Sequence, residues 1–261
     1  MTKVSVILLA AGIGNRLLPL TLNWPKCLMP IGKTPLLEYW LSMLHDEGID
    51  DVYINLHHHK SIVEDFLKRP MFKDWVKKIY EKDLLGTAGT LFKAKKLFKF
   101  DTILMVHADN WSVFSLEDFI LYHFNGKPKN CCMTMMTFEC ENPSQSGIVE
   151  LDNNGVVINF HEKKNNPPGR TANGAVYMLD NEVLEYICEN KGITDFSTQV
   201  IPEFLGKIAT WKNNDIHRDI GTTNVLKLAQ KDVKPNTKWS VNDQWNYKFA
   251  ENKIHQLIKS L

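Results

Sequence analysis

The 261-residue sequence lacks the cysteine patterns that disulfide-linked domains and zinc sites require. Its five cysteines are odd in number, two of them are adjacent, and none forms a C-x-x-C pair. This usage argues against a disulfide framework or a zinc cage and predicts buried free thiols in a reducing compartment. We therefore expect a cytoplasmic protein.

Long uncharged hydrophobic runs and an excess of one charge are missing as well. The apolar run from Val4 to Ala11 is too short for a secretory signal, and no uncharged span approaches the roughly 20 residues of a transmembrane helix. Thirty-one basic residues against 30 acidic ones leave a net charge of +1, so no overall field attracts nucleic acid or an anionic membrane. Neither is expected as a partner, and any anion site must be local.

No internal repeat or low-complexity segment occurs, and the composition, 44% hydrophobic and 23% charged, is that of an ordinary globular protein. Over the first 110 residues, buried strand patterns alternate with helical ones. Strands are predicted at 4–11, 52–56, 78–80 and 102–107, and helices at 36–47, 61–68 and 87–98. Ser61 and Glu64 form a capping box at the start of the second helix. This order predicts an α/β, Rossmann-like, mixed and mainly parallel sheet with helices on both faces.

The second half is richer in turns. Strands are predicted at 131–138, 147–151, 156–160, 175–179 and 208–211, and helices at 182–189 and 198–205. The turn from Asp152 to Gly155 indicates a hairpin. We assign residues 1–230 to one domain and 231–261 to a polar linker and an amphipathic helical tail from Val241 to Leu261. The tail is expected to pack on the body or on another subunit, which leaves a homo-oligomer open.

The end of the first strand carries the clearest chemical signal. The apolar run breaks into Gly12-Ile13-Gly14, Arg16 follows two positions later, and Lys26 comes after Pro25. Glycine lets the backbone approach an anion, the amides of the turn point towards it, and a guanidinium supplies a fixed fork of donors. Ligands of open parallel sheets gather at the carboxyl ends of the strands. The segment therefore predicts a phosphate site.

Residues 9–21, LAAGIGNRLLPLT, followed by Pro25-Lys26 and Pro30, resemble the signature of the sugar-1-phosphate nucleotidyltransferases. Six later segments agree in order: Leu85-Gly86-Thr87-Ala88-Gly89, Ala108-Asp109-Asn110, Ser146-Gly147-Ile148-Val149, Glu162-Lys163, Asn173-Gly174-Ala175-Val176-Tyr177 and Asp219-Ile220-Gly221-Thr222. The match covers about residues 3–230, and collinear motifs are far more specific than a lone G-x-G. The segment Asn55-Leu56-His57-His58 looks like the mannose-1-phosphate guanylyltransferase branch.

The resemblance implies a nucleotide-diphospho-sugar transferase fold and an enzyme that joins an NTP to a sugar 1-phosphate and releases pyrophosphate. By resemblance, the catalytic residues are Arg16, Lys26, Asp109, Lys163 and Asp219, of which Asp109 and Asp219 would hold Mg²⁺. The nucleotide-binding residues are Leu9, Ala11, Gly12, Gly14, Asn15, Arg16, Lys26, Glu81, Gly86, Thr87 and Asp109. The residues implied for the sugar phosphate are Asn110, Gly147, Glu162, Lys163, Asn173 and Gly174.

Glu81 bears on the choice of base, because in the family the residue five positions before the LGT glycine lies near the base edge. Guanine offers two adjacent donors that a carboxylate accepts together, whereas uracil and thymine offer one donor between carbonyls. Glu81 thus favours GTP, and the expected product is a GDP-sugar made from mannose or heptose 1-phosphate.

Two other functions remain open, and a third is disfavoured. The same chemistry could use UTP, CTP or dTTP with another sugar 1-phosphate or phosphorylated alcohol. An inactive nucleotide-sugar-binding regulatory protein would not need the pair Asp109 and Asp219. An NAD-dependent dehydrogenase is disfavoured because the third glycine of G-x-G-x-x-G is missing.

Departures from the family pattern also matter. Asn15 replaces threonine, Ala108 replaces glycine, and His217-Arg218 replaces a commoner aromatic, which leaves the acceptor open. The run His57-His58-His59 is interpreted as a loop, because three adjacent histidines after a strand cannot all face one ion.

Overall fold

The computed structural model describes residues 3–237, 239 and 243–261, and the statements below concern these residues. The strands are β1 (Ser5–Leu9), β2 (Pro30–Ile31), β3 (Thr34–Pro35), β4 (Asp51–Leu56), β5 (Val76–Tyr80), β6 (Ile103–His107), β7 (Asn110–Val113), β8 (Met133–Glu139), β9 (Gly147–Leu151), β10 (Val157–Glu162), β11 (Thr171–Leu179), β12 (Ile208–Lys212) and β13 (Ile216–Asp219). The helices are α1 (Leu36–Asp46), α2 (Lys60–Leu67), α3 (Gly86–Ala94), α4 (Leu116–Leu121), α5 (Asn181–Glu189), α6 (Phe196–Gln199), α7 (Thr223–Lys231), α8 (Gln244–Ala250) and α9 (Lys253–Lys259).

Nine strands form one mixed, mainly parallel sheet, as the sequence predicts. β1 lies at its centre between β4 and β6, and β5 lies outside β4, all of them parallel. β11 runs antiparallel to β6 and to β8, and β12 follows β8 in parallel. The predicted hairpin is β9 with β10, which joins β11 through the pair Ala172 and Ile148.

Helices cover both faces of this sheet, and β1 shows why its apolar run is continuous. All five of its residues are buried. Val6 and Leu8 face a cluster that contains α1, α2 and α8, while Ile7 and Leu9 face a cluster that contains α3 and α5. Alternate residues of a strand point to opposite faces, so a strand between two helical layers is apolar on both faces. The one polar residue of β1, Ser5, is satisfied by a hydrogen bond to Asp51. Among the described residues, no helix is long and apolar enough to cross a membrane.

Several predicted elements need correction. The capping box is wrong: α2 begins at Lys60 after His59, whose φ is +50°, and no side chain caps the helix, so Ser61 lies inside its first turn. The predicted helix 87–98 ends at Ala94 and continues as a single 3-10 turn. The predicted helix 198–205 is α6 followed by a 3-10 turn, because Pro202 cannot donate to a continuing helix.

Other elements have no counterpart among the predictions. Two helices, α4 and α7, follow the N-cap residues Ser115 and Thr222, whose hydroxyls accept the backbone N–H three residues further on. The ribbon of β7 and β13 is also new, and it pairs Asp219 with Asn110.

The tail is two helices rather than one. Asn252 separates α8 from α9, and its side chain caps α9 by accepting the Ile254 N–H at 2.9 Å. Phe249 and Ile254 are buried in the same cluster as β1 and α1. Residues 238 and 240–242, which belong to the predicted linker and the start of the tail, lie outside the described residues.

Candidate active site

Four charged side chains meet at the carboxyl ends of β1 and β6. The Lys26 ammonium donates to Asp109 Oδ2 at 2.7 Å and to Asp219 Oδ1 at 3.1 Å, and Arg16 Nη2 donates to Asp219 Oδ2 at 3.0 Å. The side chain of Lys26 is 7% exposed, whereas that of Asp219 is 48% exposed. We call these four residues the charge cluster.

Distant parts of the chain build this cluster. Arg16 lies in the 3-10 turn after β1, and Lys26 begins another 3-10 turn. Asp109 lies two residues beyond the end of β6. Asp219 comes from β13, whose pairing with β7 places it opposite Asn110 and therefore beside Asp109. Parallel strands end at one edge of the sheet, which is why these segments converge.

Charge pairing outweighs burial at the charge cluster. Burial disfavours the Lys26 ammonium, but the carboxylates of Asp109 and Asp219 raise its pKa above the ordinary 10.5. Burial likewise opposes ionisation of Asp219, but Lys26 and Arg16 lower its pKa to about 2. Lys26 and Asp219 are therefore both charged at neutral pH.

Residues 10–17, which we call the glycine turn, fold around Gly14. Its φ is +73°, and a Cβ there would lie 2.9 Å from Thr21 Cγ2. The Gly14 carbonyl accepts the Thr21 hydroxyl and the Leu17 amide, both at 2.9 Å. Only glycine combines this backbone conformation with the close approach of Thr21. A cavity of about 210 Å³, the Arg16 cavity, is lined by Gly14, Asn15, Arg16, Leu17, Lys26, Asp109 and Gly221.

A second cavity of about 170 Å³, the Glu81 cavity, lies on the other side of the glycine turn. Its lining residues are Leu9, Ala11, Gly12, Asn55, Glu81, Leu84, Gly86, Thr87, Thr90, His107 and Asp109. Glu81 is 5% exposed. Its Oε1 accepts Asn55 Nδ2 at 3.0 Å and the Thr90 hydroxyl at 2.6 Å, while Oε2 accepts, within the described part of the chain, one donor, the Leu85 amide at 3.3 Å. Oε2 is therefore the oxygen with spare acceptor capacity.

The start of α3 forms one wall of the Glu81 cavity. Gly86 has a φ of +76°, and a Cβ there would overlap the Thr194 carbonyl. The Thr87 hydroxyl accepts the Phe196 amide at 2.7 Å. Both residues are thus held by the loop before α6 and by the first residue of that helix.

A third cavity of about 210 Å³, the Lys163 cavity, adjoins the charge cluster. Its lining residues are Arg16, Lys26, His107, Asp109, Asn110, Phe138, Gln145, Ser146, Gly147, Glu162, Lys163, Asn173, Ala175, Ser197, His217 and Asp219. Lys163 is 61% exposed, and its ammonium lies 2.9 Å from Glu162 Oε1. A Cβ on Gly147 would come within 2.8 Å of the side-chain ends of Phe160 and Glu162, so a larger residue there would have to displace them from the cavity wall.

The amide of Asn173 is already engaged. Its Nδ2 donates to the Tyr177 hydroxyl at 2.6 Å, and its Oδ1 accepts the Ala175 amide at 2.9 Å. Asn173 therefore holds the irregular part of β11 as well as lining the Lys163 cavity.

The three cavities bring the sequence-predicted residues together with one exception. Asp109 lines all three of them. The other residues predicted for the nucleotide line the Arg16 and Glu81 cavities, those predicted for the sugar phosphate line the Lys163 cavity, and Arg16 and Lys26 line the Lys163 cavity as well. Gly174 is the exception, because it packs against Met136 and its carbonyl accepts Asn110 Nδ2 at 3.4 Å.

Several cavity residues were missed from the sequence. His107 lines the Glu81 and Lys163 cavities, and Asn55 and Thr90 hold Glu81. His217 lines the Lys163 cavity, with Nδ1 2.5 Å from the Ser112 hydroxyl, and burial lowers its pKa to about 4. A period of two could have found His217, which lies two residues before Asp219 on the same strand. His107 is the last residue of β6, two positions before Asp109.

Known proteins resemble this chain over most of its length. The nucleotidyl transferase family model matches residues 5–235. The mannose-1-phosphate guanylyltransferase catalytic subunit beta of Drosophila melanogaster is 31% identical over 201 residues, which are 76% of this chain and 53% of that protein. The bifunctional protein GlmU of Methanococcus aeolicus is 28% identical over 246 residues, 88% of this chain and 56% of that protein.

The chain thus spans a little over half the length of these two relatives. A structure described as a glucose-1-phosphate thymidylyltransferase from Bacillus anthracis, in complex with a sucrose, has a TM-score of 0.80 at 22% identity and covers 93% of this chain and 99% of its own. The fold is therefore that of the nucleotide-diphospho-sugar transferases. With a family match over most of its residues, the chain belongs to the nucleotidyl transferase family.

Proposed function

We propose that the chain transfers a nucleotidyl group from an NTP, in the first place GTP, to a sugar 1-phosphate such as mannose or heptose 1-phosphate. The products are an NDP-sugar and pyrophosphate. The observation that carries this proposal is the position of Asp109, which lines the Arg16, Glu81 and Lys163 cavities and pairs with Lys26. A nucleotide and a second phosphate could meet there.

The reaction needs no protein nucleophile. A sugar-phosphate oxygen attacks the α-phosphorus, the bond from this phosphorus to the bridging oxygen breaks, and pyrophosphate leaves with the electron pair. The attacking group is already largely ionised near pH 7, because the second pKa of a phosphate monoester is about 6. The protein must therefore position two anions and offset their charge.

The charge cluster and its surroundings suit this task. In our proposal the glycine turn and Arg16 bind the triphosphate, and the buried Lys26 offsets its negative charge. Lys163 binds the sugar phosphate after its ion pair with Glu162 breaks. Because Lys163 is exposed, breaking this pair costs little free energy. Glu162, Gly147 and Asn110 would face the sugar.

Asp109 and Asp219 would hold Mg²⁺. Their oxygens converge on one cation in this structure, the Lys26 ammonium. In residues 3–237, 239 and 243–261 no group of three or more histidine, cysteine, aspartate or glutamate side chains could hold a metal, but Mg²⁺ is usually bound through one or two carboxylates plus substrate phosphates. The residues present therefore fit it, and when bound it would offset phosphate charge and polarise a phosphoryl oxygen.

The test is pyrophosphate release from each of GTP, UTP, CTP and dTTP against a panel of sugar 1-phosphates, with Mg²⁺ and with a chelator. We expect Asp109→Asn to lower kcat by at least about 100-fold, as the loss of an electrostatic group at the reacting phosphates does. Asp74→Asn, at an 86% exposed side chain, is the control and should keep full activity.

Two outcomes would contradict the proposal. No turnover with any pair would favour a nucleotide-sugar-binding regulatory protein. Turnover that survives chelation would show that the reaction does not need Mg²⁺, and it would contradict the assignment of Asp109 and Asp219 as metal ligands.

The preference for GTP rests on Glu81 and on the relatives named mannose-1-phosphate guanylyltransferases. One guanine donor would pair with Oε2 of Glu81, and the other would compete with Asn55 and Thr90 for Oε1. Glu81→Gln should therefore weaken selectivity for GTP, measured as kcat/KM for the four NTPs. If Glu81→Gln leaves the relative kcat/KM values of the four NTPs unchanged, Glu81 does not set the preference for GTP. Other relatives are named GlmU and not guanylyltransferases, so the assay also includes UTP, CTP and dTTP.

We also infer a reducing compartment such as the cytoplasm, because all five cysteines are free thiols and four of them are buried.

A further inference from the structure

The histidine run after β4 connects two walls of the candidate site. His59 Nε2 lies 2.9 Å from the Thr21 carbonyl oxygen. A carbonyl oxygen only accepts hydrogen bonds, so Nε2 of His59 carries the proton and donates it. The Thr21 hydroxyl in turn donates to the Gly14 carbonyl at 2.9 Å. His59 is thus two hydrogen bonds away from the centre of the glycine turn.

The other end of the run reaches the Glu81 cavity. His57 Nδ1 donates to the Glu81 carbonyl at 3.1 Å. Asn55, two residues earlier, uses both ends of its amide: Oδ1 accepts the Ala10 amide at 2.7 Å, and Nδ2 donates to Glu81 Oε1 at 3.0 Å. Asn55 therefore holds both walls, while His57 and His59 hold one each, and His58 also bonds the Thr21 backbone.

These hydrogen bonds lie at and just beyond the last residues that pair in the sheet. β1 pairs with β4 as far as Leu9 and Asn55, and with β6 as far as His107. Beyond Leu9 the glycine turn pairs with no strand among the described residues, and side chains from the end of β4 and the following loop bond to it or to Thr21 beside it. The base-side wall and the glycine turn are thus supported by one short segment.

We propose that Asn55, His57 and His59 are positioning residues that form a clamp, which keeps the Glu81 cavity and the glycine turn in register so that the base and the triphosphate of one nucleotide bind together. This inference rests on the proposed function. A preformed site spends less binding free energy on ordering its own walls, so breaking one link weakens binding at the wall that the link supports.

The two histidines use different ring nitrogens, and this gives the clamp a distinctive test. The amide of asparagine places its NH₂ group near the position of histidine Nδ1, whereas that of glutamine reaches further, to about the position of Nε2. Glutamine should therefore replace His59, and asparagine should replace His57, while the opposite exchanges should fail. The φ of His59 is +50°, a conformation in which asparagine is tolerated better than glutamine, so the backbone alone would favour the reverse order at position 59.

The first experiment measures binding by calorimetry with inorganic tripolyphosphate, a probe that has no base, and with GTP, both in the presence of Mg²⁺. His59→Ala should weaken tripolyphosphate binding about three- to tenfold, the effect of one hydrogen bond. His59→Gln should restore it and His59→Asn should not. In turnover assays the KM for the NTP should rise by the same factor while kcat stays within about twofold.

The second experiment concerns His57. His57→Ala should leave tripolyphosphate binding unchanged and weaken GTP binding about three- to tenfold, with rescue by His57→Asn and not by His57→Gln. Ser61→Ala, at an exposed position on α2, is the matched control and should change neither.

Each remaining outcome would overturn the clamp. Equal or better rescue of position 59 by asparagine would mean that His59 serves only the backbone conformation. Unaltered tripolyphosphate binding in His59→Ala, or its absence in the wild type, would remove the link to the glycine turn. Failure of the proposed function looks different: the binding pattern of the variants would hold, but no NTP and sugar 1-phosphate would release pyrophosphate.

Discussion

Lys26 and Arg16 show how single residues set the chemistry of the site. Lys26 is buried and retains its charge because two carboxylates surround it, whereas the more exposed Arg16 reaches the same Asp219 from the solvent side. The motif identified these residues, but it could not show that the lysine bridges both aspartates. That contact joins residues 193 positions apart in the sequence, and it forms only when the chain folds back to the first strand.

Gly221 offers a way to move Arg16 without changing it. A Cβ on Gly221 would lie 2.7 Å from Cζ and Nη1 of Arg16. We expect Gly221→Ala to displace the guanidinium and lower kcat/KM about tenfold, the effect of a weakened charge-assisted hydrogen bond. In an Arg16→Ala background the same change should add little, because the two substitutions act through one contact. Full additivity in the steady-state assay would show that Gly221 acts elsewhere.

Asp51 is a buried carboxylate away from the site. Its Oδ2 accepts the Ser5 hydroxyl at 2.5 Å and the Lys99 amide at 2.9 Å, and its Oδ1 accepts Lys77 Nζ at 2.7 Å. Burial alone would raise the pKa of Asp51, but these bonds lower it below the usual 3.8. Its stabilisation is therefore present above about pH 4 and is lost as the pH falls through the lower folded-state pKa.

We expect Asp51→Asn to lower the free energy of unfolding at pH 7 by about 2–4 kcal/mol, measured by urea denaturation. The difference in unfolding free energy between wild type and variant should narrow as the pH falls below about 4 towards the lowered folded-state pKa of Asp51. Asp50→Asn is the control, because Asp50 is 57% exposed and its pairing with Lys99 should contribute less than about 0.5 kcal/mol. A gap that stays constant with pH would show that the charge of Asp51 is not what stabilises the fold.

At the scale of elements, the sequence pattern predicts two regions least accurately. They are the ribbon of β7 and β13 and the tail. Each ribbon strand has four residues with mixed polarity, too short for a period to stand out. The tail has an apolar pattern that predicts one helix, but Asn252 offers a side-chain cap that makes two short helices more favourable.

Phe249 should anchor the tail to the body. It stacks on Trp24 with ring centroids 5.8 Å apart and on Trp245 at 5.0 Å, and it is buried. Phe249→Ala should lower the free energy of unfolding by about 3–4 kcal/mol. Tyr247→Ala on the same helix, at a 63% exposed side chain, should stay within about 0.5 kcal/mol of wild type. Equal effects in denaturant titrations would mean that the tail does not pack as described.

For the whole molecule, both cores meet at the central sheet, and the site lies at the edge where its strands end. Ligand binding at that edge should therefore stabilise the entire fold. At 100 times its dissociation constant an NTP adds about 2.7 kcal/mol to the free energy of unfolding. For a protein of this size that corresponds to about 5–10 °C in Tm.

We expect GTP with Mg²⁺ to produce a shift of this size by thermal denaturation and the other NTPs at equal concentration to produce smaller ones. Asp109→Asn should show a reduced shift with GTP, because it removes a proposed metal ligand. Equal shifts with all four NTPs would contradict the base preference.

The sequence by itself determined most strands of the main sheet, its mixed parallel arrangement and the glycine turn. Periodicity and motifs are local properties, and local residues set them. Only the tertiary structure decided which atoms meet: that Lys26 lies between Asp109 and Asp219, that Glu81 Oε1 is already taken by Asn55 and Thr90, and that Gly174 packs away from the cavities. These contacts join residues far apart along the chain, and they form because the sheet brings its strand ends to one edge.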